Sequence, residues 1–149
     1  MTFKQKTHQY YQQLVQDRED AFRDMITALT EDSKNDAKGS AGDKHETALS
    51  MMHIEQEKLN RKLREVLDQK IVLDKIDAST TAETIIMGRL VKANGIFLYL
   101  SVALPKITID GINVIALSPQ SPLGNKLMGN KVGFTFEING TKYLIEEIN

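Results

Sequence analysis

The sequence predicts an α+β protein: an N-terminal antiparallel α-helical coiled-coil hairpin, then a small antiparallel sheet with one short helix. Three observations lead there. Two long stretches without Gly or Pro carry striped apolar patterns, and only a short turn separates them. After a small polar linker the pattern changes to β-branched and alternating residues. Asn-Gly and Asp-Gly pairs then punctuate the second half, as they do between paired strands.

The first helix is expected over residues 7–37. Tyr11, Leu14, Ala21, Met25 and Ala28 recur at helical spacing, flanked by Val15, Phe22 and Leu29, with Arg18 interrupting the seam. Ser33, Asn35 and Asp36 weaken the helix, and Gly39 and Gly42 end it. The second helix is expected over 43–76. There Leu49, Met52, Gln56, Leu59, Leu63, Val66, Lys70 and Leu73 alternate +3 and +4 without a break. At ~1.5 Å per residue that helix is about 45–50 Å long. A single stripe of that length needs a partner along all of it, and the first helix matches it. A loop this short folds the two back on each other. Domains are therefore expected at 1–77 for the hairpin and 83–149 for the sheet, with Ala78-Ser79-Thr80-Thr81-Ala82 as linker.

Strands are expected near 84–92, 95–103, 112–118, 132–138 and 141–148. Asn94-Gly95, Asp110-Gly111 and Asn139-Gly140 are the turn signals between them. Ser121-Pro122-Leu123-Gly124 opens a short helix, with Ser121 as cap and Pro122 at the first position; Gly129 closes it.

Composition excludes several classes. The formal net charge is −1, and the halves differ little: residues 1–77 carry 13 basic and 15 acidic side chains, residues 78–149 carry 6 and 5. Overall basic character therefore does not point to nucleic acid. Without cysteine there is no disulfide framework and no thiolate nucleophile, which suits a cytoplasmic setting. No apolar run approaches ~20 residues, so no membrane-spanning helix is expected, and residues 1–6 do not start a signal peptide. His45-Glu46 lacks the second histidine of a zinc-protease helix, because position 49 is leucine. Gly39 to Lys44 lacks the register of a phosphate loop.

Asp43 and Glu46 remain. They stand three residues apart at a helix start, so their carboxylates can face one way. A cap and a dipole partner is one reading of the pair. A pair of hard oxygen ligands for Mg²⁺ is the other, and two such ligands complete a shell only with help from elsewhere.

Two stretches then resemble the bacterial Gre transcript-cleavage factors. Leu117-Ser118-Pro119-Gln120-Ser121-Pro122-Leu123-Gly124-Asn125-Lys126-Leu127-Met128-Gly129 is similar to the family's I-S-x-x-S-P-L-G-x-x-L-x-G pattern. Gly42-Asp43-Lys44-His45-Glu46-Thr47-Ala48 is similar to its G-D-L-S-E-N-A tip, with Gly42, Asp43, Glu46 and Ala48 in register. The chain departs from the family at His45, at Leu49-Ser50, at Leu104-Pro105-Lys106 and at Phe134. The resemblance implies an FKBP-like C-terminal domain that docks on RNA polymerase, with Ser121, Pro122, Leu123 and Gly124 as partner-binding residues. It implies a monomeric accessory factor, not an enzyme, whose coiled coil enters the polymerase secondary channel near the 3′ end of the nascent RNA. Asp43 and Glu46 would then help hold a Mg²⁺ shared with the polymerase, and the polymerase would cleave its backtracked RNA. The chain alone would hold no cofactor. Two alternatives stay open: a relative that occupies the channel and inhibits, and a coiled-coil dimerisation protein.

Overall fold

The computed structural model describes residues 1–39 and 43–149, with the side chains at 33, 35–39 and 43–45 outside the description. The protein is α+β. Helix α1 runs Phe3–Gly39 and helix α2 Asp43–Asp74. Strands β1 Leu90–Ala93, β2 Ile96–Leu100, β3 Leu104–Ile109 and β4 Ile112–Leu117 follow. Helix α3 Pro122–Leu127 and strands β5 Thr135–Ile138 and β6 Thr141–Ile148 complete the chain. It divides into two compact units, Met1–Gln12 with Ile71–Asn149, and Gln13–Lys70.

In the unit Gln13–Lys70, two side-chain bonds fix the direction of pairing. Lys70 donates to Glu19 at 3.1 Å, and Gln56 donates to Thr30 at 3.5 Å. Moving forward along α1 means moving backward along α2, so the helices are antiparallel. On α2 the expected stripe is the buried one: Met52, Leu59 and Val66 are buried, and Leu49, Gln56, Leu63 and Lys70 are half-buried. On α1 the stripe lies about one residue off the expected line. Val15 and Glu19 are buried, Phe22, Ile26 and Leu29 half-buried, while Ala21, Met25 and Ala28 face solvent. The reason is Glu19: an ionised side chain occupies the seam, so the apolar residues alone trace the wrong line. Its carboxylate is held by Lys70 and by Arg23 at 3.0 Å, as a buried charge requires.

The other unit is built on a six-stranded sheet in the order β3-β4-β2-β1-β6-β5. Neighbours are antiparallel except β2 and β4, which run parallel. All three expected turns form. Asn94, Asp110 and Asn139 take φ of 52°, 52° and 50°, each followed by a glycine with positive φ. Two residues in that left-handed region match the twist of the strands they join. Two expectations about strands are corrected. Residues 84–89 are not a strand: Gly88 has φ +91° and sits against Ile76, where a Cβ would lie 2.7 Å from Cγ2. A sixth strand, β3, lies where none was expected. It carries Pro105, and it is an edge strand whose pairing with β4 is irregular between Leu104 and Ile107, the place a sheet tolerates proline.

Side chains alternate across this sheet. Val91, Ala93, Leu98, Leu100, Leu117 and Ile145 form one buried face, with Leu127 of α3 and Ile85 packed on it. On the opposite face the first turns of α1 lie against β2 and β4. Phe3 meets Phe97 edge-on at 5.4 Å, and Tyr11 stacks on Tyr99 at 6.2 Å. Among the described residues, no helix is long and apolar enough to cross a membrane.

Candidate functional site

Glu46 lies in the first turn of α2, exposed to solvent. Asp43 is the first residue of the same helix, three positions earlier. A carboxylate there sits at the positive end of the helix dipole, which lowers the cost of its charge. The orientation of the Asp43 side chain lies outside the described residues, as do the side chains of Lys44 and His45. Among the described residues, no group of three His, Cys, Asp or Glu side chains could hold a metal ion. Two carboxylates at i and i+3 are hard oxygen donors of the type Mg²⁺ takes, but they fill only part of an octahedral shell.

The second stretch singled out in the sequence is α3 and the loop before it. Ser121 caps the helix as expected. Its Oγ accepts from the Gly124 N–H at 3.1 Å and donates to the Ser118 carbonyl at 2.6 Å. Pro122 follows at the first turn, exposed, where its missing N–H costs nothing. Gly124 is buried so closely over this loop that a Cβ would stand 2.1 Å from the Ser118 oxygen. Leu123 packs, half-buried, against the sheet core. The pattern Ser-Pro-Leu-Gly is thus satisfied by cap, helix start, core contact and close approach.

The sequence reading missed a cluster of buried polar side chains. Lys4, Thr7, His8 and Arg89 are all at least nine-tenths buried. The Lys4 ammonium and the Arg89 guanidinium both donate to the carbonyl of Thr80, and Arg89 also donates to the Thr80 hydroxyl at 2.6 Å. Burial, and then the neighbouring Arg89 charge, hold Lys4 below the usual lysine range; Asp77 offsets this in part. His8 Nδ1 and the Tyr99 hydroxyl share a hydrogen bond of 2.7 Å. The Tyr11 hydroxyl donates to the Pro105 carbonyl at 3.0 Å. Burial pushes the Tyr11 phenol up to about 12 and raises Tyr99 as well. A signal for this cluster was present. Lys4, His8 and Tyr11 fall at i, i+4 and i+7, and the same spacing continues through Val15. Charged and polar residues at those positions hid the stripe from a search for apolar ones.

No family model matches the chain, and no curated protein matches it.

Proposed function

We propose that the chain is a Gre-like transcription elongation factor. In this reading it is an accessory protein of the cytoplasm, not itself an enzyme. It binds RNA polymerase, brings the closed end of the helix pair into the secondary channel, and promotes cleavage of backtracked RNA. Asp43 and Glu46 supply oxygen ligands to a Mg²⁺ whose other ligands belong to the polymerase. A second metal of this kind stabilises attacking and leaving oxygens in an in-line hydrolysis. The sheet unit, FKBP-like by the resemblance, is the docking module, and Pro122 is the exposed member of its Ser-Pro-Leu-Gly stretch.

The observation that carries the reading is the antiparallel pairing of α1 and α2. The bonds from Lys70 to Glu19 and from Gln56 to Thr30 set the direction of that pairing. An exposed Glu46 then stands in the turn of α2 next to that connection. A dimerisation rod would account for the seam and leaves the acidic turn only its role as cap and dipole partner.

The test is a transcript-cleavage assay on stalled polymerase complexes from the same source. Shortened RNA that resumes extension supports the proposal. Slowed extension without shortened RNA would assign the chain to channel-occupying inhibitors instead.

A further inference from the structure

We propose that the cavity under the first turn of α1 binds a small carboxylate with an apolar body, such as an aryl or branched-alkyl acid, held by Lys4. The inference is independent of the role given to the helix pair.

The cavity is about 390 Å³, the size range of small-molecule sites, and lies wholly within the sheet unit. Its apolar wall is Phe3 from α1 with Leu90, Phe97 and Ile112 from the sheet. Lys4, Ser79 and Thr81 are among its polar lining residues. Lys4 is 5% exposed, and its bonded partner is a neutral carbonyl. Among the described residues, no carboxylate lies within ion-pair distance of Lys4 or of Arg89 beside it. Two buried cations therefore share one carbonyl, and the Arg89 Nε–H has no partner among the described residues. Buried charges are ordinarily paired. Asp77 offsets part of both charges without an ion pair to either, and an anion in the cavity would supply the pair for Lys4.

The first turn of α1, which lines the cavity, adds to this. Thr2 caps α1: its hydroxyl accepts from the Gln5 N–H at 3.1 Å, and the Gln5 side chain accepts from the Thr2 N–H at 2.8 Å. The remaining N–H groups of that turn, and the helix dipole, favour negative charge. Glu147 also lines the cavity. Lys92 stands between it and Phe97 in the strand register, with its ammonium 5.7 Å from the Phe97 ring. A purely hydrated ion would leave the apolar wall uncovered, so the ligand carries a body to match it.

The experiment is an amide NMR titration of the full chain at fixed ionic strength with phenylacetate, phenylacetamide and inorganic phosphate. Phenylacetate is expected to shift the Phe3, Lys4, Ser79 and Thr81 amides saturably, at least tenfold more tightly than the other two probes. Lys4→Met should weaken phenylacetate at least tenfold and leave phenylacetamide unchanged. Ile112→Trp, at an exposed rim position, should block the cavity with Lys4 intact. Equal binding of acid and amide, phosphate binding as tight as phenylacetate, or no saturable shifts would overturn the proposal. Should Lys4→Met not fold, unchanged phenylacetate binding in Ile112→Trp would overturn it.

Discussion

His8 of α1 and Tyr99 of β2 share a buried hydrogen bond of 2.7 Å, and their rings meet edge-on at 6.0 Å. Both groups are withdrawn from water, so each depends on the other. Tyr99→Phe removes the hydroxyl and leaves the His8 ring nitrogen buried without its partner. The expected cost is about 1–3 kcal/mol in urea unfolding.

The same pair makes stability depend on pH. Burial lowers the His8 pKa from 6.5, with Asp74 opposing part of the shift. In the window just below 6.5 the unfolded chain binds the proton and the folded chain resists it. Stability is therefore full above that window and is lost as pH falls through the folded value. Unfolding midpoints measured between pH 8 and 5 should decline on the acid side. His8→Gln should flatten that decline.

The helix seam gives a sharper contrast. Leu59 is buried and Met25 is half exposed, although both belong to the apolar pattern of the sequence. Leu59→Ala is expected to cost about 2–5 kcal/mol, as buried leucines do. Met25→Ala should stay within ~0.5 kcal/mol, as surface changes do. Thermal unfolding followed by circular dichroism compares them. Equal costs would mean that α1 packs on the line its apolar residues alone suggest.

Hydrogen bonds from Arg23 and then Lys70 hold the Glu19 carboxyl below its usual range. Lys70→Met removes one of the two donors. The Glu19 pKa, followed by carboxyl-carbon NMR, should move up toward its ordinary value, with Arg23 keeping part of the shift.

Gly124 tests the loop before α3. Any side chain there meets the Ser118 carbonyl. Gly124→Ala should cost about 1–3 kcal/mol or more, as overpacking does. It should also weaken the Ser121 cap, since both use the same loop. Gly111→Ala, with open space around its Cβ, is the control and meets only the strain of its positive φ, about 1–2 kcal/mol.

How far the sequence could be read followed from which residues carried the pattern. The α2 seam was legible because Met52, Leu59 and Val66 repeat at heptad spacing with little polar interruption. The α1 seam was displaced because Lys4, His8 and Glu19 occupy stripe positions, and a charged residue reads as solvent-facing until its partners are known. Turns were legible because Asn-Gly and Asp-Gly carry their φ requirement in the sequence. The run Thr84-Ile85-Ile86 read as a strand by β-branching, yet Gly88 breaks the extended path. Strand β3 was hidden by Pro105, whose tolerance depends on lying at the sheet edge, a fact of topology. The Ser121 cap was read correctly from Ser-Pro alone. In the buried polar cluster the shared helix face of Lys4, His8 and Tyr11 lay in the sequence, but the joining of Lys4 to the Thr80 carbonyl beside Arg89 did not, since Lys4 and Thr80 are 76 positions apart.

The central claim is that the acidic first turn of α2 completes a metal site owned by another molecule. Its most direct test is RNA cleavage by stalled polymerase complexes with the parent chain, Asp43→Asn and Glu46→Gln, alongside polymerase binding. The account predicts that each substitution abolishes stimulated cleavage while binding stays at the parent level. Cleavage at parent rates by both variants would contradict it.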